Sequence, residues 1–561
     1  VRTDAGASEA ERWAQDYERY YAVLANVAFP SADQPSGWAE VVLFANEDEY
    51  KEVAPEHSAG FFRIGGPPHA PHAQLVLEAK EGADVGPTLV HELVHRFVRH
   101  HFSGVPTWVN EGLAEFYETL EIQPQAVVIG GVPRGMRYDS SWGWQVHTGR
   151  RYDVLRKVAP PGPQLRELTP ADFYAWGITN RVEFEETRAV HYAAAWAHVH
   201  LLMLGPHRQS FLKYLNGLKS GKTHESAWGA AFPEATHPEL NRSYAAFLSR
   251  EETKTARIPL RVEDGPAVTA RVLSPSEVHE MWACLRPSKP GQLGPDAERA
   301  VALAPESATA LTLRAMFLLA NEQEDEAEAD LVRARQLAPA DPDVALPLAT
   351  LYIAREYRKR KTQRDWRSVS ELLAVLHRNA ATATHLDFLA QFELARMRPE
   401  RARALAAKAV EKDSSCVECY YTGALALAAL GRWEEAAAAA RVAAAARGEG
   451  AGSKGGDKNG PDTPFEEASE KVAGGEEPRL AVLPWVPASL ERITSGVSMK
   501  FELSYRKDGS VGDVQVLPVR SGGALRAGNA LWVLPTLAAV RAWRGEPPAT
   551  GTKKEWLHLR Q

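Results

Sequence analysis

The tripeptide Leu303-Ala304-Pro305 returns as Leu337-Ala338-Pro339 after an interval of 34 residues, and no other feature restricts the fold as strongly. A tripeptide that returns at such an interval marks an internal repeat. Small residues Ala315, Ala327 and Ala334 lie within that interval, and Pro339 closes it with a residue that ends helices. After about residue 290 the chain is rich in Ala, Leu, Glu and Arg at helical spacing. The first 250 residues instead mix β-like runs, "AEVVLFA" (39–45) and "AQLVLEA" (73–79), with long helical stretches, an α+β pattern. A chain of 561 residues that changes texture in this way is predicted to be multidomain.

A later stretch, "YYTGALALAALGRWEEAAAAARVAAAA" (420–446), repeats the pattern with Gly431 at a turn, Trp433 after it and Ala436 in the next helix. Period and small-residue placement together resemble the tetratricopeptide repeat. The resemblance implies three to four stacked helix pairs over 290–447, an all-α helical repeat array offering a concave surface to a protein partner or substrate. A plain bundle is the alternative for such Ala-rich helices. The basic run "REYRKRKTQRDWRS" (355–368) reads as an insertion or irregular helix.

Residues 448–478 are dominated by Gly, Ser, Lys and acidic residues and read as a flexible linker, too polar to bury a core. Beyond it, "VSMKFELSYRKDGSVGDVQVLPV" predicts two alternating strands around Lys507-Asp508-Gly509-Ser510, followed by a helix in "ALWVLPTLAAVRAW" and a strand in "KKEWLHLR". This ββαβ order over 479–561 resembles the C-terminal domain of TonB-type proteins, which implies a small α+β fold and a protein- or peptide-contact role. It also sets the expected location, a bacterial cell envelope or periplasm, with the cytoplasm as the alternative. No run of about 18 apolar residues is present, so no membrane span is expected. The net charge of -7, with both signs interspersed, offers no basic field for nucleic acid. The three cysteines are too few for a disulfide scaffold, and Cys416-Val417-Glu418-Cys419, opening a helical repeat, reads as packing thiols. A redox pair, half a zinc clasp and a disulfide formed in an oxidising compartment are the alternatives.

Chemistry concentrates in "GPTLVHELVHRFVRHHF" (86–102) and "PTWVNEGLAEF" (106–116). Leu89, Val90, Leu93, Val94, Phe97 and Val98 follow helical spacing, so His91 and His95 leave one face of one helix, with Thr88 as the expected N-cap. Two imidazoles one turn apart can chelate a Zn²⁺ ion. Glu92 then projects beside the metal, where a carboxylate can take a proton from water whose pKa the metal lowers to about 7. His-Glu-x-x-His arises by chance in roughly 1 or 2 chains in 100 of this length, so a third ligand carries much of the inference. Glu111, sixteen residues after His95, can return to the metal if the first helix ends near "FSGVP" (102–106) and a second runs back antiparallel. Glu115, one turn further, could accept from the far nitrogen of a ligand His. His100 and His101 are expected at a solvated helix end, and His198 and His200 as satisfied core or groove histidines.

"HELVH" followed at this spacing by "WVNEGLAEF" resembles the gluzincin branch of the zincin metallopeptidases, the peptidase-MA-like family, over about residues 12–250. The resemblance implies His91, His95 and Glu111 as zinc ligands and Glu92 as general base. It also points to Tyr192 in "AVHYAAAWAHVHLLML" (189–204) as an oxyanion donor, with His191 as the fallback. The Gly-x-Met-Glu-Asn loop by which related aminopeptidases grip a free α-amine has no counterpart upstream of His91. The expected activity is therefore hydrolysis of peptide bonds by metal-activated water, as an endopeptidase acting on a peptide or protein. The strand at 73–79 is the candidate edge for an extended substrate, against a purely structural role. The competing function is a zincin-like scaffold or adaptor without turnover, acting through its repeats; Glu92 argues against it, since ligation alone does not need that carboxylate.

Overall fold

The computed structural model describes residues 1–154, 184–286, 294–447, 498–543 and 554–560 with short breaks, together with Phe465; in 136–154, 184–191, 445–447, 519–526 and 554–560 the backbone alone is described. The architecture is mixed, with many helices and small sheets, as a multidomain α+β chain requires.

The first unit is built from α1 (Ala7–Val23), β1 (Arg2–Thr3), β2 (Ala39–Phe44), α2 (Glu47–Lys51), β3 (Gly60–Gly65), β4 (His72–Glu78), α3 (Gly86–His101) and α4 (Thr107–Glu118). It continues through the short strands β5 (Glu121–Gln123), β6 (Ala126–Ile129), β7 (Met136–Asp139), β8 (Gly143–His147) and β9 (Tyr152–Val154). The helices α5 (Phe184–Leu204), α6 (Arg208–Lys219), α7 (His224–Ala231) and α8 (His237–Leu248) and the strand β10 (Ala256–Pro259) complete it. The main sheet has the order β1-β2-β4-β3, with β2 and β4 parallel and β3 antiparallel to β4. Both predicted strands are near-continuous apolar runs because both of their faces are covered. Val41, Leu43, Leu75 and Leu77 join the core with α1, α3 and α4, while Val42, Phe44 and Val76 pack on Trp282 and Leu285. Of the two roles weighed for 73–79, structural pairing is the one observed: β4 is paired on both sides, and among the described residues β1 and β3 are the outer strands.

Helix α3 buries Leu89, Val90, Leu93, Val94, Phe97 and Val98, the face read from the spacing. It starts two residues before Thr88, with Val85 as its N-cap, because Pro87 suits the first turn, where an amide hydrogen would have no partner. His101 is also not solvated: it is buried and stacks on Phe29 at 5.5 Å between centroids. The chain turns after Phe102 and resumes at Thr107, as expected.

The helical unit begins earlier than 290, with α9 (Pro275–Leu285) and α10 (Pro295–Leu303). It continues as α11 (Ala308–Ala320), α12 (Glu324–Leu337), α13 (Pro342–Arg358), α14 (Arg367–Asn379), α15 (Ala383–Ala395), α16 (Pro399–Lys412), α17 (Val417–Ala429) and α18 (Trp433–Arg447). The first helices of successive pairs start at 308, 342, 383 and 417, so the 34-residue period holds except where the basic run lengthens one connection. Ala315, Ala349, Ala390 and Ala424 occupy one equivalent position of those helices, and each is fully buried. The basic run is an anchor: Arg358 makes a bidentate pair with Glu324, and Arg364 donates to the Val514 carbonyl at 2.7 Å. Cys416 and Cys419, expected as packing thiols, are joined in a disulfide.

The C-terminal elements are β11 (Ser498–Tyr505), β12 (Val511–Leu517), β13 (Val519–Ser521), β14 (Ala524–Arg526), α19 (Ala530–Ala542) and β15 (Lys554–Arg560). Their antiparallel sheet has the order β12-β11-β15, and the β13–β14 hairpin is an addition to the expected order. Helix α19 is buried along its whole length, and it packs on β12 and on α11, α13, α15 and α17, the first helices of four successive pairs. A helix apolar on every side must be covered on every side. The row of helices expected to receive a partner is thus occupied by the chain's own α19. Phe465, inside the stretch read as linker, is fully buried and meets the Tyr421 ring at 5.9 Å; the rest of 448–497 lies outside the described residues. Among the described residues no helix is long and apolar enough to cross a membrane.

Arg541 fastens the two units together. Its guanidinium is buried and donates to the carbonyls of Ala395 (3.1 Å), Val511 (3.2 Å) and Gly512 (2.7 Å). Arg541→Ala is expected to lower global stability by about 1–3 kcal/mol in urea titration and to increase amide exchange first in β12 and α19.

Candidate metal centre

Helices α3 and α4 place three donor atoms around one point. Glu111 Oε2 lies 3.5 Å from His91 Nε2 and 3.5 Å from His95 Nε2, and the two imidazole rings stand nearly perpendicular with centroids 4.9 Å apart. Donor atoms held about 2.0–2.1 Å from a tetrahedral Zn²⁺ ion are roughly 3.4 Å apart, and both histidine–Glu111 distances match that spacing. Two imidazoles and a carboxylate are also the donor set of a catalytic rather than a closed structural site.

The far nitrogens settle the tautomers. His91 Nδ1 is 2.9 Å from Glu118 Oε2, and His95 Nδ1 is 3.1 Å from Asn110 Oδ1. Each partner oxygen accepts, so each Nδ1 donates, and it is the neutral imidazole that leaves each Nε2 lone pair for the shared point. Sequence reasoning assigned the orienting role to Glu115, but the hydrogen bond goes one turn further, to Glu118. Glu111, Glu115 and Glu118 share one face of α4, and the His91 ring reaches the last of them. Neither Asn110 nor Glu118 was anticipated, although Asn110 sits beside Glu111 and Glu118 follows it by seven positions.

Electrostatics favour a cation here. Burial pushes the Glu115 carboxyl up to about 8, with the Glu118 and Glu111 charges acting in the same direction. Burial opposes charge on His91 too, but Glu111 and Glu118 outweigh it and hold the imidazole's pKa well above its usual value. In the metal-free protein, His91 therefore carries the proton that a metal must displace.

Glu92 is buried beside the histidines, its ligand atom within 4.8 Å of theirs. Burial raises its pKa, His95 and His91 oppose that rise, and the Phe62 amide donates to it. Gly60 permits this approach of β3: a Cβ there would lie 2.8 Å from Thr88 Cγ2 and 3.3 Å from Glu92 Cγ. Gly112 does the same on the other side, since a Cβ would stand 2.6 Å from the Ala195 carbonyl oxygen of α5. That close packing carries Tyr192 to the centre, with its ring 6.3 Å from that of His91. The His191 side chain lies outside the described residues.

His198 and His200 are held by backbone carbonyls. His198 Nδ1 lies 2.7 Å from the Ala194 carbonyl, and His200 Nε2 lies 2.9 Å from that of Lys254. Burial lowers both pKa values, to about 3 for His198, so both are neutral core groups as expected.

Glu118→Gln is expected to weaken Zn²⁺ affinity by about 10- to 100-fold in chelator competition, with a smaller effect from Glu115→Gln. Because the His91 pKa is raised in the metal-free protein, Zn²⁺ affinity is also expected to rise with pH above about 6.5, with proton release measurable by calorimetry in buffers of different ionisation enthalpy. The centre rests on its own geometry, since no protein-family model matches the chain and no curated protein was found to be similar to it.

Proposed function

We propose that the chain is a zinc-dependent peptidase of the gluzincin type, and the observation that carries this reading is the convergence of His91, His95 and Glu111 with Glu92 alongside. When bound, Zn²⁺ supplies a Lewis acid that polarises the scissile carbonyl and acidifies water. Glu92 accepts the proton of the attacking water and passes it to the leaving amine. Its buried setting suits that task, because burial raises its pKa and so strengthens it as a base. Tyr192, on the rim beside His91, donates to the oxygen that gains charge.

The place of β3 at the end of its sheet supports action within a chain, since an outer strand can pair with an extended substrate and the Phe62 amide ties this one to Glu92. The helix pairs are read as tetratricopeptide-like and the C-terminal unit as TonB-C-like, which favours a bacterial cell envelope as the setting. With α19 on the inner row of helices, a protein partner would use the outer helices.

Glu92→Gln is expected to retain Zn²⁺ and to lose about 10²- to 10⁴-fold in the cleavage rate of an unfolded protein. Tyr192→Phe should lower kcat by about 10²-fold with metal content unchanged. Undiminished cleavage by Glu92→Gln would remove the mechanism. One bound Zn²⁺ per chain without cleavage would instead favour a scaffold.

A further inference from the structure

Cys416 and Cys419 are bonded across three positions, with Cα atoms 5.3 Å apart, at the start of α17. Cys416 is the N-cap, and its sulfur accepts from the Cys419 amide at 3.3 Å. The two sulfurs differ in access: Cys416 is half-buried, whereas Cys419 is fully buried against Ala383 and Ala409. We propose that Cys416 and Cys419 form a reversible thiol–disulfide site, in which Cys416 is the sulfur exchanged with an external dithiol and Cys419 is the enclosed resolving sulfur.

The position favours such chemistry for three reasons. A sulfur at the N-terminus of a thirteen-residue helix sits among amide hydrogens that stabilise a thiolate. The acids beside the pair, Asp413 and Glu418, face the charge of Arg99 on α3, so the turn does not confront a thiolate with unopposed carboxylates. Finally, the Ala383 carbonyl lies 4.0 Å from Cys419 Sγ, placed to accept from the thiol that reduction creates. Packing alone needs none of this asymmetry.

The exchange balances as follows. A thiolate of the dithiol attacks Cys416 Sγ, the Cys416–Cys419 bond breaks, and its electron pair leaves on Cys419, which takes a proton from water. The second thiolate of the dithiol then attacks the dithiol's own sulfur in the mixed disulfide, releasing Cys416 as thiolate and closing a cyclic disulfide. The protein pair gains two electrons, and the dithiol loses them.

The full chain, equilibrated natively across ratios of reduced to oxidised dithiothreitol, acid-quenched, alkylated and mapped by mass spectrometry, tests the proposal. Cys416 and Cys419 should change state together in one two-electron transition. Cys284, whose thiol is pushed up to about 12 by burial, should remain a thiol throughout. With 5,5′-dithiobis(2-nitrobenzoate), Cys419→Ser should take one adduct on Cys416, and Cys416→Ser should react at least ~10-fold more slowly. If a variant fails to fold, the order of iodoacetamide labelling on the reduced wild type gives the same comparison, with Cys416 expected first. A pair that opens only on unfolding, a pair already reduced without added dithiol, or equal reactivity of the two sulfurs would overturn the proposal.

Discussion

The candidate centre depends on one carboxylate reaching across a helix hairpin. Glu111 meets both imidazoles at 3.5 Å, and it can do so only while α4 runs back along α3 at close range. That approach is fixed from both flanks by missing side chains: Gly60 lets β3 lie on Glu92, and Gly112 lets α5 lie on α4. Four carboxylates, Glu92, Glu111, Glu115 and Glu118, then surround two histidines in a partly dry space. Such a concentration of acid is unfavourable unless protons or a cation offset it.

Periodicity made much of this legible in the sequence. The buried face of α3, the turn at 102–106 and the pairing of His91, His95 and Glu111 all follow from helical spacing, which is a local property. Glu118 was missed because choosing between two acids on one helix face requires the position of a ring on another helix. Whether strand β4 is an edge or an inner strand was not legible, because a run of apolar residues shows that a strand is covered but not which neighbours cover it. His101 was misjudged for a related reason: its aromatic partner Phe29 lies far away in sequence.

The repeat was legible by its period, and its content was not. Four equivalent alanines mark where helices touch, yet the helix that lies across them comes from more than a hundred residues later. A clue was present in Leu531, Trp532, Val533, Leu534, Leu537 and Val540, which leave α19 no polar face. Such a helix cannot serve a two-layer domain with one side in water. The C-terminal sheet, α19 and the array therefore share one core.

Strand β3 gives the first unit a mechanical property. At Gly60 it touches Glu92, and three residues later Arg63 donates to the Cys284 and Leu285 carbonyls at the end of α9. About 10 Å of extended backbone separates those two attachments. The strand is a short stiff link with one end on Glu92 and the other on the helical unit. Glu92 and the end of α9 are thereby held at a distance set by a single strand, so a shift of one is expected to be felt at the other.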